Sequence, residues 1–180
     1  MAADNTNTVP SQSALALVQE YIAMQKITPF LWFDGQAEDA ARFYVSVFKN
    51  SRIVAMTRYG DAGPGPIGSV MTVTFEISGV EFVALNAGPQ FTFSPATSFV
   101  VNCDNQAEVD HYWEKLSAGG KIIECGWLTD KFGVTWQIVP VVLLKLIHDK
   151  DPARAQRVMK AMMKMKKLII KDLEQAAAEK

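Results

Sequence analysis

Few side chains in this sequence carry strong chemistry, and their spacing narrows what they can do. There are two histidines, His111 and His148, and two cysteines, Cys103 and Cys125. The cysteines have no Cys-x-x-Cys spacing, which gives no disulfide framework and fits a reducing compartment. Cys125 could be a nucleophile only with its pKa lowered by a cation or base, and no histidine lies near it in sequence. General acid–base work could fall to Glu76, Glu124, Asp130 or Arg58. The glycine-rich run 60–68 lacks the Lys-Ser/Thr that closes a phosphate loop, so it reads as a rim loop.

What remains is a set of neutral polar residues, Thr28, Asn86, Ser98, Asn102 and Gln137, in or beside apolar strand-like runs. Alternation puts Thr28, Phe30 and Trp32 on one face of a strand, and Ser98, Val100 and Asn102 on the equivalent face of another. Phe82, Ala84 and Asn86 share a face in the same way, as do Thr135, Gln137 and Val139. Trp127, following Cys125-Gly126, is a further candidate wall. Apolar and aromatic side chains with a few placed polar groups suit a small organic ligand. The competing reading is that the same residues fill a closed core.

The elements that must position these residues are legible from an internal repeat. Phe33-Asp34-Gly35-Gln36-Ala37-Glu38 is echoed about 70 positions later by Cys103-Asp104-Asn105-Gln106-Ala107-Glu108. An apolar run precedes each copy. An amphipathic run with paired aromatics, Phe43-Tyr44 or Tyr112-Trp113, follows each. A fixed offset of this kind indicates two copies of one supersecondary unit. Periodicity predicts strands over 26–33, 52–59, 69–77 and 80–86 with a helix over 36–48 in the first copy. In the second it predicts strands over 97–102, 121–125 and 134–139, a short strand near Trp127, and a helix over 105–117. The fold class is therefore α+β, with two βαβββ units forming one curved mixed sheet and extra helices at both ends.

Two consecutive βαβββ units resemble the vicinal oxygen chelate superfamily, the glyoxalase and bleomycin-resistance fold. The stretch 30–38 with Ala41-Arg42-Phe43-Tyr44, and the stretch 125–140, are similar to its PhnB-like branch, which often carries the domain label 3-demethylubiquinone-9 3-methyltransferase. The label itself fits poorly, because the glycine-rich strand-to-helix turn of a doubly wound methyltransferase is absent from the sequence. The resemblance implies a divalent ion held by one residue from the first and one from the last strand of each unit. Aligning the repeat puts Thr28, Asn86, Ser98 and Gln137 at those positions. Such neutral side chains are weak ligands for zinc, iron, nickel, magnesium or calcium. The expectation is a site without metal or other cofactor that holds a small organic molecule, in a homodimer. Two alternatives stay open: an enzyme of the same fold using unconventional ligands or acid–base residues, and a non-catalytic partner protein acting through its helical tail.

Composition bounds the rest. A chain of 180 residues, 49% of them apolar, suffices for one well-buried core. Its formal net charge of −1 argues against nucleic acid as the main partner. No apolar run approaches the roughly 20 residues of a membrane span, and the N-terminus lacks a signal-peptide pattern. A cytoplasmic protein with no membrane partner is expected. Residues 1–24 read as a polar tail and a short apolar helix over 14–24, 25–140 as the repeated domain, and 141–180 as a helical extension. In that extension Asp151-Pro152 is a helix start, and Arg154, Arg157, Lys160, Lys164, Lys166 and Lys167 form a basic, Met-rich stretch.

Overall fold

Leu31 and Phe33 alternate with Phe30 and Trp32 along the first strand, and the fold is organised by burying the first pair while leaving the second uncovered or half-covered. The computed structural model describes residues 25–179; the helix predicted over 14–24 lies outside them. The first unit consists of β1 (Phe30–Phe33), α1 (Ala37–Val47), β2 (Arg52–Arg58), β3 (Val70–Ile77) and β4 (Val80–Asn86). The second has β5 (Phe99–Cys103), α2 (Gln106–Ser117), β6 (Lys121–Ile122), β7 (Trp127–Thr129) and β8 (Thr135–Pro140). The extension forms α3 (Val141–Ile147), α4 (Pro152–Met162) and α5 (Ile170–Ala178).

Both βαβββ units are present. Their strand orders are the same, β1-β4-β3-β2 and β5-β8-β7-β6, with the first pair parallel and the others antiparallel. Strand pairing stays within each unit, so the single curved sheet predicted from the repeat is two four-stranded mixed sheets. Side-chain packing joins them instead. Ala37, Ala40, Ala41, Tyr44 and Val47 lie at helical spacing on α1 and are buried, as are Val109, Trp113 and Leu116 on α2. The Tyr44 ring lies 5.9 Å from Phe75 of the first sheet and 5.4 Å from Trp136 of the second. Phe82 and Phe99 meet edge-on at 5.1 Å. One apolar cluster thus covers the inner face of both sheets, and their other faces point away from it.

The two helices are started differently. Asn105 caps α2 by accepting from the Glu108 N–H, and the Glu108 carboxylate accepts from the Asp104 N–H, a reciprocal capping box. The first helix has no side-chain cap of its own. Its Ala37 N–H is taken by Asn86 Oδ1 at 2.8 Å, from the end of β4.

Asp151 caps α4 with Pro152 in the first turn, as the sequence predicts. The extension is laid onto the second unit. Cys125 N–H and Gly126 N–H donate to the Met165 and Lys166 carbonyls at 2.8 and 2.7 Å. Gln106 clamps the same connecting segment through the Leu168 carbonyl and the Ile170 N–H. Gly126 is obligatory here. Its φ is +84°, and a Cβ would lie 2.8 Å from the Ile138 carbonyl oxygen and 3.1 Å from Leu168. Val139 of β8 packs against the extension's own cluster of Leu143, Leu146, Val158, Leu168 and Leu173.

Candidate functional site

Residues paired across neighbouring strands share a face, so register states which predicted site residues meet. On the second sheet, Val100 pairs with Gln137 and Gln137 with Trp127, which makes one row on the open face. Gln137 Nε2 donates to Ser98 Oγ at 2.8 Å. Asn102 stands on the same face of β5 and is exposed. Four predicted residues, Ser98, Asn102, Trp127 and Gln137, are therefore gathered there. Two positions along β8, Val139 already lies under the C-terminal helices, so the extension roofs one end of this face.

The first sheet presents an apolar and hydroxyl-bearing face. Its rows are Phe30–Val83–Thr74–Ala55 and Trp32–Leu85–Thr72–Thr57. Phe30 is 58% exposed. Trp32 is fixed by Nε1 donation to the Gly88 carbonyl at 2.8 Å and by an edge contact with Phe91 at 4.9 Å. Thr28 precedes β1 and is partly buried.

Asn86 departs from the predicted arrangement. It shares a face with Phe82 and Ala84 as predicted, but that face is the buried one. Its Oδ1 holds the start of α1, and its Nδ2 donates to the Val70 carbonyl at 3.0 Å. Register explains the discrepancy. Val83 pairs with Phe30 as Gln137 pairs with Val100, so the counterpart of Gln137 is Val83, and the counterpart of Asn86 is Pro140. Matching the two strands by their following prolines slips the alignment by three residues, and an odd slip exchanges the faces.

The four positions do not fit a divalent ion. Asn86 has its amide engaged elsewhere, Val83, the register counterpart of Gln137, has no donor atom, and Ser98 and Gln137 are neutral groups bonded to one another. Among the described residues no group of three or more His, Cys, Asp or Glu comes together. His111 faces the Val47 carbonyl and His148 the Leu144 carbonyl.

Of the acid–base candidates, Asp130 has the most developed surroundings. It is 3% exposed and accepts from Tyr44 Oη, Trp136 Nε1 and the Phe132 and Val134 N–H groups at 2.8 to 3.1 Å. Burial raises its pKa, while these four donors, Trp136 and Tyr44 foremost, oppose the shift. Burial, then the neighbouring Asp130, holds the Tyr44 phenol well above its ordinary value. This carboxylate joins α1 of one unit to the β7–β8 turn of the other and faces no open surface. Its role could have been read from two polar-tipped aromatics that need a buried acceptor. Glu76 is paired with Arg52 at 2.9 Å, and Arg58 donates to the Gly68 carbonyl. The Cys125 thiol is pushed up by burial and by Glu124, and that of Cys103 by burial, Glu108 and Asp104 to about 12, so neither thiol is activated.

A separate cleft of about 600 Å³ lies at the end of the first sheet. Asp34, Glu38 and Asp39 rim it, and Pro64, Pro66 and Tyr59 wall it. The loop 60–68 folds around the Tyr59 ring closely enough that a Cβ on Gly65 would fall 2.4 Å from it. Tyr59 also donates its hydroxyl to the Asn86 carbonyl.

The family model described as 3-demethylubiquinone-9 3-methyltransferase matches residues 25–139. Among solved structures, the PhnB protein from Bacillus cereus is 41% identical, with 65% of this chain and 100% of that chain covered at a TM-score of 0.61. A protein from Pseudomonas aeruginosa shares the fold at 23% identity, with coverage of 65% and 98% and a TM-score of 0.56. The fosfomycin resistance protein FosX from Mesorhizobium loti is matched at 16% identity, coverage of 64% and 91%, and a TM-score of 0.45. Among curated proteins, none matches this chain.

Proposed function

The chain belongs to the PhnB-like family of the vicinal oxygen chelate superfamily, and from that premise we propose that it binds a small organic molecule on the open faces of its two sheets, without the superfamily's usual metal. The observation that carries this reading is the Val100–Gln137–Trp127 row with Ser98 bonded to Gln137. It offers an apolar wall, an aromatic plane and one amide–hydroxyl pair for orientation, the composition of a small-molecule site. The first sheet adds Phe30, Trp32 and a threonine ladder, with Thr57 and Thr72 hydroxyls 2.6 Å apart. These rows carry no charge, so the expected ligand is neutral and amphipathic. The methyltransferase of the family's description is not adopted, because the described residues form two mixed sheets and no doubly wound parallel one.

A homodimer is part of the proposal. The two open faces point away from a shared core, so one chain does not close a cavity over either of them. A second copy would cover the exposed Phe30 and Val100 and turn each face into an enclosed site.

Native mass spectrometry of the full chain as isolated tests this reading. A dimer carrying a co-purified organic molecule, lost in Gln137→Ala and Trp127→Ala variants of unchanged fold, is the expected result. Stoichiometric zinc, nickel or iron held through these strands would overturn the metal-free reading.

A further inference from the structure

The Met-rich stretch of the C-terminal extension has no part in the proposed binding rows, and the fold divides it into two sets. Met162 and Met165 pack against the extension's own core. Met159 and Met163 face outwards, 40% and 60% exposed. These two stand four residues apart, so their thioethers rise from the same side of α4. The Met163 N–H donates to the Met159 carbonyl at 3.0 Å, which carries the helical turn through to Met163.

Cys125 stands against this pair, with its Sγ 3.7 Å from Met163 Sδ. Both sulfurs are mounted on fixed backbone. Cys125 forms the corner of a turn closed by Trp127 N–H donation to the Glu124 carbonyl, and its own N–H is held by the Met165 carbonyl at 2.8 Å. The Lys164 and Met165 N–H groups donate to the Ala161 and Met162 carbonyls and close the end of α4 beside it. The thiol is only partly buried, so an ion can reach it from solvent.

Two sulfurs placed in this way suit a soft cation. With metal–sulfur bonds of about 2.3 Å, a separation of 3.7 Å subtends an angle of about 110° at a shared ion and leaves room for a third ligand. Thiolate and thioether together select Cu(I) over harder divalent ions. Zinc would need more nitrogen, thiolate or carboxylate ligands, and among the described residues no group of three or more His, Cys, Asp or Glu comes together. Burial, then the Glu124 carboxylate, raises the pKa of the Cys125 thiol, so a neutral metal–thiolate unit is favoured there over a bare thiolate.

We infer that Cys125 and Met163, with Met159 one turn back as the third sulfur, form a site for a soft monovalent metal ion, Cu(I). On binding, the thiol proton passes to solvent and the sulfur lone pair forms the metal bond, with no electron transferred. None of the three residues belongs to the rows on the open faces, so loss of one ligand leaves the other in place.

The test titrates the full chain, reduced and free of oxygen, against Cu(I) held by bicinchoninate, and reads the loss of the coloured complex. The parent is expected to withdraw one ion per chain. Cys125→Ser should weaken binding at least about a hundredfold, Met163→Leu about tenfold and Met159→Leu about threefold, since each removes a soft ligand. Met162→Leu, on the inward side of the same helix, should leave the affinity unchanged. Met163 is exposed, so its variant stays informative whatever Cys125→Ser does to the turn. No copper withdrawn, parent affinity in Cys125→Ser, or equal affinities in Met162→Leu and Met163→Leu would each overturn the inference. Displacement of the copper by excess zinc, or one ion bridging two chains in native mass spectrometry, would overturn it as well.

Discussion

At Asp130, four donors converge on one buried carboxylate and tie the two units together. Asp130→Ala leaves a phenol, an indole and two backbone N–H groups without an acceptor, so it should cost about 3–5 kcal/mol, read by urea unfolding. The same residue makes stability pH-dependent. Its folded pKa is raised above the unfolded value of about 3.9, so protonation favours the folded state. That contribution is complete below the unfolded pKa and is lost as pH rises through the folded one. Across this window the thermal midpoint of the parent should gain less with rising pH than that of Asp130→Asn. Parallel pH profiles would show that Asp130 keeps an ordinary pKa. Gln137 and Ser98 offer the opposite kind of test. Their side chains already touch, so Gln137→Glu with Ser98→His brings a carboxylate and an imidazole within reach of one ion. Calorimetry should find affinity for zinc in the double variant that the parent lacks.

The two copies of the unit differ most in how their helices begin. The second helix carries its own capping box in Asn105 and Glu108, whereas the first borrows an acceptor from Asn86 on β4. Removing that acceptor exposes an orphan N–H and frees the Val70 carbonyl, so Asn86→Ala should destabilise by about 1–2 kcal/mol. Gln137→Ala, on an open face, should stay within about 0.5 kcal/mol of the parent. Chemical denaturation of the two variants thus separates a residue that starts a helix from one available to a ligand. If both behaved as surface substitutions, the register assignment of Asn86 to the inner face would be wrong.

At the scale of the whole molecule, the two sheets share no hydrogen bonds and are held by Tyr44, Trp136, Phe82, Phe99 and Asp130. The helical extension adds a second, smaller core against β8 and is hydrogen-bonded to the turn at Cys125 and Gly126. Light scattering at micromolar concentration should give the mass of a dimer. Phe30→Asp should shift it towards the monomer while leaving circular dichroism unchanged, because Phe30 lies outside the inner core. A parent that is monomeric under these conditions would remove the second copy from the proposed site.

The duplicated Asp-x-Gln-Ala-Glu motif, with its flanking aromatics, was enough to determine two βαβββ units and the succession of their elements along the chain, because each is a local periodicity repeated at a fixed offset. Asp151-Pro152 likewise determined the start of α4, since a cap is a property of adjacent residues. Alternation also grouped Phe30 with Trp32, and Val100 with Asn102, on their faces, while Thr28 and Ser98 precede the strands. It could not decide which face of β4 is buried, nor that Val83 rather than Asn86 matches Gln137. Those depend on register between strands far apart in the chain, where a slip of three residues keeps the pattern and exchanges the faces. The split into two sheets, the four donors around Asp130, and the extension lying along Cys125-Gly126 also came only from the tertiary structure. Each is a contact between segments whose proximity is set by packing of the whole chain and leaves no local trace in the sequence.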